Sequence, residues 1–187
     1  RMIAPIPVTL VTCVDSERRA NIITISLVCK MWGEPCDQSE RPLFMIAVHP
    51  ARYSHRLIEE TGEFVVNLPT TDLVQQVEYC GTRSGRRFNK FKDTKLTPAP
   101  AKFVKAPLID ECVINIECKV DRNLTVVRGT YTLFFGEAVA VHVNEGLWNG
   151  LRLDLDKAPL ISDFFLTEYR APGQVILRRG GIVSSRP

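Results

Sequence analysis

The chain has 187 residues, with 24 basic and 21 acidic side chains and a net charge of +3. That length suits one well-packed domain, and we read residues 1–187 as a single unit. So small and evenly spread a charge argues against nucleic acid as a partner. No uncharged apolar run approaches the roughly 18 residues of a membrane helix, so no membrane partner is expected and the chain reads as soluble and untargeted.

In chain order, residues 7–14 (PVTLVTCV) are rich in β-branched types, turn at Asp15-Ser16-Glu17, and are followed by residues 20–28 of the same character. This is a hairpin by composition. Asn21, Thr24 and Ser26 are polar residues set among isoleucines in its second arm. Either the arm is a half-exposed edge strand, or it lays an amide, hydroxyls and backbone groups along a flat polar ligand. Residues 29–42 form a loop rich in Gly, Pro and charge, where Trp32 either caps the core or stacks on an aromatic cofactor.

Residues 43–69 (LFMIAVHPARYSHRLIEETGEFVVNLP) read as strand, polar elbow, short helix and strand. The helix is expected to start near Ser54, a good N-cap type, and to end at Gly62. Arg52, Tyr53, Ser54 and His55 would then crowd the positive end of a helix dipole, where free N–H groups can hold a phosphate. A second helix should open at one of Thr70, Thr71 and Asp72 and stop at Cys80-Gly81. Residues 82–91 (TRSGRRFNKF) carry Arg83, Arg86, Arg87 and Lys90 around a Ser84-Gly85 turn. This is either a solvated basic loop or a second cationic arm closing on the phosphate of Arg52.

Residues 97–108, with three prolines, should run extended without regular pairing. In CVINIECKV (112–120) alternate positions are apolar, so Asn115, Glu117 and Lys119 should face solvent or a partner. In the next strand, 130–143, Gly136 suggests a bulge or a tight barrel bend. The tail from about residue 150, including Phe164-Phe165, is expected to pack on the barrel or on a second subunit.

Cys13, Cys29, Cys36, Cys80, Cys112 and Cys118 lie mostly in apolar runs, with no CxxC pair. They read as small core residues of a reduced, cytoplasmic protein, with Cys36 in a polar loop as the exception. The histidines, His49, His55 and His142, show no metal-ligand spacing, so no metal site is expected, and His142 reads as a surface residue. There is no GxGxxG after a strand, no P-loop and no GxSxG elbow. Strands in hairpins with two short helices predict a mostly β fold, an antiparallel barrel with helical decorations.

The series PxPVTLVTxVD…ANIITIS at 5–26, HPARYSHRLIEETGEFVVNLP at 49–69, CGTRSGRRFNKF at 80–91, KAPLIDECVINIECKV at 105–120 and YTLFFGEAVAVHV at 131–143 resembles the flavin reductase-like, FMN-binding split-barrel family, and most closely its flavoredoxin branch. The resemblance implies a six-stranded Greek-key split barrel. It also implies a homodimer with FMN near the subunit interface, and electron transfer from NADH or NADPH through the flavin to an acceptor that the residues do not identify. An alternative consistent with the same branch is an FMN-bearing electron carrier reduced by a protein partner, without direct reaction with a nicotinamide.

By the same resemblance, Asn21, Thr24, Ile25 and Ser26 match the segment along the isoalloxazine and ribityl chain, and Trp32 lies in the loop flanking the ring. Arg52, Tyr53 and Ser54 match the elbow at the phosphate end. Ser84, Arg86 and Lys90 match the SGR-x-x-x-K segment, with Lys90 as its flavin-contacting lysine. Two departures stand out. Tyr131 follows Gly129-Thr130 where many relatives carry a histidine, and Arg87 and Asn89 replace aspartates, making this loop more cationic. A tyrosine stacks or donates one hydrogen bond but does not shuttle protons near neutral pH as histidine does, so no general base is named.

Overall fold

The computed structural model describes residues 5–32, 41–122, 126–128, 130–148, 154, 157–164 and 168–173. Cys36, Gly129, Phe165, most of the tail and the side chain of Trp32 lie outside the described residues. The elements in order are β1 (Ile6–Pro7), β2 (Thr9–Val14), β3 (Ala20–Ile25), β4 (Val28–Trp32), β5 (Leu43–Val48), α1 (Tyr53–Thr61), β6 (Glu63–Leu68), α2 (Val74–Thr82) and α3 (Lys90–Thr94). They continue with β7 (Pro98–Ala99), β8 (Leu108–Ile109), β9 (Ile114–Val120), β10 (Val126–Arg128), β11 (Tyr131–Val143), β12 (Ser162–Phe164) and β13 (Glu168–Arg170). No helix among them is long and apolar enough to cross a membrane.

The β-rich composition builds one antiparallel sheet in the order β3-β2-β6-β9-β11-β5-β4, with β10 paired to β11 as its eighth strand. The predicted split barrel is present, with more strands than six because the short β4 and β10 extend the pairing of β5 and β11. The hairpin of β2 and β3 is set by Asp15, whose carboxylate accepts the Glu17 and Arg19 amides at 3.0 and 2.8 Å. Strand β11 is the spine: its residues 132–137 pair with β5 and residues 136–143 with β9. Gly136 is the crossing point, and a Cβ there would stand 2.5 Å from the Phe64 ring and 2.9 Å from the Cys118 Cβ. The sheet therefore bends at Gly136, while the bulge falls two residues later, between Ala138 and Ala140.

Inside the curl, Ile46, Phe64 and Phe134 pack beneath Leu57 and Ile58 of α1. A second core joins Leu10 and Ile22, on the opposite face of the β2-β3 hairpin, to Val77 and Cys80 of α2 and Phe91 of α3. Apolar burial of this kind contributes about 1.5–3 kcal/mol for each large side chain. The second helix does not stop at Cys80-Gly81 but runs to Thr82. Gly81 serves approach rather than termination: a Cβ on it would lie 3.3 Å from that of Thr24. Of the described cysteines, Cys13, Cys80, Cys112 and Cys118 are buried free thiols as expected, whereas Cys29 is exposed.

Alternation places Lys119 on the exposed face of β9 correctly but misplaces the other two polar residues. Asn115 is 5% and Glu117 0% exposed, because residues 99–106 form a strap across that face. The Glu117 carboxylate accepts the Lys102, Phe103 and Val104 amides at 2.8, 2.6 and 3.1 Å and bonds the His142 Nε2 at 2.7 Å. His142 is thus a partner of a buried acid and not a bare surface residue. The strap is closed by a short pair, β7 with β8, in a stretch expected to lack regular pairing. Its apolar underside, Ala106 and Leu108, packs on Val65. The described part of the tail packs on the barrel: β12 pairs with β1, Ile161 is buried, and the Tyr169 hydroxyl donates to Glu78 at 3.1 Å.

Two stability predictions follow from this packing. Gly136→Ala forces the Phe64 ring aside and should destabilise the fold by about 1–3 kcal/mol in urea unfolding, the range for overpacked cores. Burial alone would raise the Glu117 pKa, but the strap amides and His142 outweigh it and hold the carboxyl below its ordinary value. An acid with a depressed native pKa adds stability above its unfolded pKa and loses it as pH falls through the native one. The melting temperature of the wild type should therefore fall more steeply from pH 6 to 3 than that of Glu117→Gln, which is expected to be less stable at neutral pH.

Candidate functional site at the 49–56 elbow

Strand β5 ends at Val48, and the chain turns through residues 49–52, with the Arg52 amide donating to the His49 carbonyl at 2.9 Å. Helix α1 begins one residue earlier than expected. Its N-cap is Arg52 in extended conformation, without a side-chain cap and without an acidic residue in the first turn. Gly62 closes it at φ 68° as anticipated. Ser54 is therefore not the cap: it is 1% exposed, and its Oγ accepts the Asn21 amide nitrogen at 2.7 Å. The helix is left with a bare positive end, the condition for binding an anion.

Three segments converge on that end. From β3, Asn21 holds Ser54. From the 83–89 loop, Gly85 stands so close that a Cβ would lie 2.0 Å from the Asn21 Oδ1 and 3.0 Å from the Tyr53 ring. Arg86 of the same loop stacks on Tyr53 with its guanidinium carbon 5.9 Å from the ring centroid, and Arg56 of α1 does so at 5.5 Å. Two cations from different segments thus flank one tyrosine beside the helix end, and Arg52 at the cap is exposed. The loop is folded by Ser84, whose carbonyl accepts the Arg87 and Phe88 amides and whose Oγ accepts the Arg86 amide at 3.4 Å. The basic loop lies against the elbow while Arg83, Arg86 and Arg87 stay exposed.

Other predicted residues separate. Thr24 faces away from Asn21 and donates to the Val77 carbonyl of α2 at 2.5 Å. The Ile25 side chain belongs to the inner core. Lys90 is 4% exposed, and its ammonium donates to the Ile22 and Cys80 carbonyls, each at 2.7 Å. Ser26 instead joins Tyr131 in the wall of an open groove of about 380 Å³, whose remaining lining (Ile6, Leu27, Val28, Met45, Ala47, Leu133) is apolar. Tyr131 meets the His49 ring edge-on at 5.5 Å, so the groove abuts the elbow turn. Trp32 ends β4, with its side chain outside the described residues.

Behind the elbow, burial raises the Cys13 thiol to about 12 against the opposing pull of Ser54 and Asn21, and raises Cys80 to about 11, so neither is a thiolate nucleophile. His55 is buried beneath α1, its Nε2 2.7 Å from the Thr132 Oγ1. No group of three His, Cys, Asp or Glu among the described residues could hold a metal ion.

Residues 2–153 match the model of the flavin reductase-like domain. The chain belongs to that family. An uncharacterized protein of Archaeoglobus fulgidus is 38% identical over 140 residues, 75% of this chain and 73% of its own. Among solved structures, the flavoredoxin of Desulfovibrio vulgaris (Miyazaki F) superposes with a TM-score of 0.84 at 28% identity, covering 99% of this chain and 95% of its own. The flavoredoxin of Methanosarcina acetivorans follows at 0.82 and 26%, covering 98% and 92%. The chain is thus a flavin reductase-like split barrel close to flavoredoxin, and a flavin-related oxidoreductase role goes with that family.

Within this family member, sequence reasoning took His49 and Arg56 as the bounds of the elbow without giving either a role, and overlooked Gly85. Gly85 was read only as a turn residue, and its contact with Asn21 joins segments far apart in the chain. Arg56 lies one turn along the helix from Arg52, and that spacing was the signal available for it. If the loop docks through Gly85, Gly85→Ala should push residues 83–89 off Asn21 and Tyr53. Hydrogen exchange of the loop amides should then quicken at least several-fold while the amides of β9 and β11 keep wild-type rates.

Proposed function

We propose that this flavin reductase-like protein binds FMN and passes electrons from NADH or NADPH through it to an acceptor. The observation that carries the reading is the bare N-terminus of α1, ringed by Arg52, Arg56 and Arg86 and continuous through His49 and Tyr131 with an apolar groove. A phosphomonoester attached to a flat, largely apolar ring fits both parts. The groove, at about 380 Å³, falls within the roughly 300–1,000 Å³ typical of small-molecule sites. The likeness to two flavoredoxins supports a flavin as that ligand.

In this reading the backbone amides that open α1 and the arginines hold the phosphate. Asn21, bonded to Ser54, keeps the first turn of the helix fixed to β3. Ser26 and Tyr131 offer hydroxyls to the polar edge of the ring system, and Leu27, Val28, Met45 and Leu133 exclude water from its faces. Bound flavin supplies the electron-accepting chemistry, and the protein supplies orientation and electrostatics. The exposed apolar side chains Leu27 and Met31, 46% and 43% accessible, favour a homodimer that covers the β4 edge of the sheet. The buried free thiols suit the reducing cytoplasm.

Purified protein titrated with flavin should bind FMN more tightly than riboflavin. Each charge-assisted hydrogen bond is worth about 1.5–3 kcal/mol, so Arg52→Ala with Arg86→Ala should weaken FMN by roughly 100-fold or more and riboflavin little. Anaerobic addition of NADH or NADPH should bleach the flavin absorbance. Bound flavin that neither nucleotide bleaches would instead assign the electron-carrier role, and a protein that takes up no flavin would end the proposal.

A further inference from the structure

Lys90 opens α3 and closes the cationic loop. A lysine is rarely buried unless its ammonium is satisfied, and here two partners are provided, the Ile22 carbonyl of β3 and the Cys80 carbonyl in the last turn of α2. Ile22 is the neighbour of Asn21. Cys80 lies two residues before the end of the helix from which the loop departs, where free carbonyls carry the negative pole of the dipole. Lys90 itself is the far end of that loop, and its backbone is fixed by Asn89, whose side chain accepts the Lys92 amide at 3.2 Å to cap α3. One ammonium therefore ties both ends of residues 83–89 to the strand that carries Asn21.

We propose that Lys90 is a positioning residue of the elbow site and not a flavin ligand: by bridging β3 and α2 from the start of α3, it holds the 83–89 loop where Gly85 and Arg86 meet Asn21 and Tyr53. This rests on the flavin reading of the elbow. The charged or titratable groups that act on the ammonium are the thiols of Cys80 on α2 and Cys13 on β2 and the guanidinium of Arg52 ahead of α1. Burial, the largest influence, lowers its pKa from 10.5 to about 8. The neutral amine keeps two N–H donors for the two carbonyls, so the bridge survives deprotonation. Between pH 8 and 10.5 the unfolded chain holds a proton at Lys90 that the native one has released, so the contribution of this group to stability rises with pH across that window, against the opposite contribution of the buried Cys13, Cys80, Cys112 and Cys118 thiols, whose pKa values burial raises.

The test compares wild type with Lys90→Met in flavin titrations well below the melting temperature, together with hydrogen exchange. The expected result is a loss of about tenfold in affinity for FMN, equivalent to about 1.4 kcal/mol, with riboflavin changed little because the displaced loop carries the phosphate-facing Arg86. Loop amides 83–89 and the amides of β3 should exchange faster, and between pH 8 and 10.5 stability should fall more steeply, or rise less, than in the wild type. Weaker FMN binding with unchanged loop exchange would make Lys90 a phosphate ligand and overturn the proposal. So would a lower melting temperature with unchanged affinity. If Lys90→Met does not fold, the wild type decides: a ratio of FMN to riboflavin affinity that stays flat from pH 7 to 9.5 supports the bridge, and one that collapses as the ammonium deprotonates overturns it. If the wild type binds neither flavin, the flavin reading fails by itself. The bridge is then judged on exchange alone, faster loop exchange in Lys90→Met sustaining it and unchanged exchange refuting it.

Discussion

The arrangement at the elbow depends on a 2.7 Å hydrogen bond between the Asn21 side chain and the Ser54 hydroxyl. Both residues are at least 95% buried, where a polar group left without a partner costs about 1–3 kcal/mol. Satisfying them pins the first turn of α1 to the second strand of the N-terminal hairpin. The direction in which the helix dipole points is thereby set by the sheet and not by the helix alone. Since Ser54 is occupied with Asn21 and Arg52 offers no side-chain cap, the helix end stays open to a ligand.

Gly85 and Lys90 bring the remaining charge to that point by opposite means. Gly85 contributes through the side chain it lacks, because any Cβ would overlap Asn21. Lys90 contributes a long side chain bonded internally at both available carbonyls. Together they fold a cationic loop, which would otherwise be repelled from the elbow arginines, onto Tyr53. That tyrosine tolerates two guanidiniums because its ring face is electron-rich, each such contact contributing about 0.5–1 kcal/mol at exposed positions. An anion bound there would relieve the repulsion among Arg52, Arg56 and Arg86, which makes the cluster more favourable with a ligand than without one.

Much of this was legible in the sequence where the signal was local. The β-strand runs, the helix between the elbow and Gly62, and the cationic loop all stand in short windows, and the ordered set of segments carried the split-barrel resemblance. What escaped was decided by contacts between distant residues. The alternation of β9 puts Glu117 toward solvent or a partner because nothing in its own strand announces the strap whose amides surround it. Thr24 and Asn21 were grouped by polarity, yet a strand turns neighbours separated by an odd number of positions to opposite faces, and Thr24 serves α2 instead. Lys90 is read as reaching a ligand from the resemblance of its SGR-x-x-x-K segment, and the two carbonyls that hold it come from β3 and α2, which no local pattern around the lysine announces.

In the proposed function the elbow holds the phosphate of a flavin. A crystal structure of the protein with FMN tests it most directly. The phosphate is predicted within hydrogen-bond distance of the Tyr53 and Ser54 backbone amides, with Arg52 and Arg86 turned toward it and the ring system against the groove of Ser26 and Tyr131. A phosphate bound elsewhere, with the first turn of α1 left in contact with solvent, would contradict it.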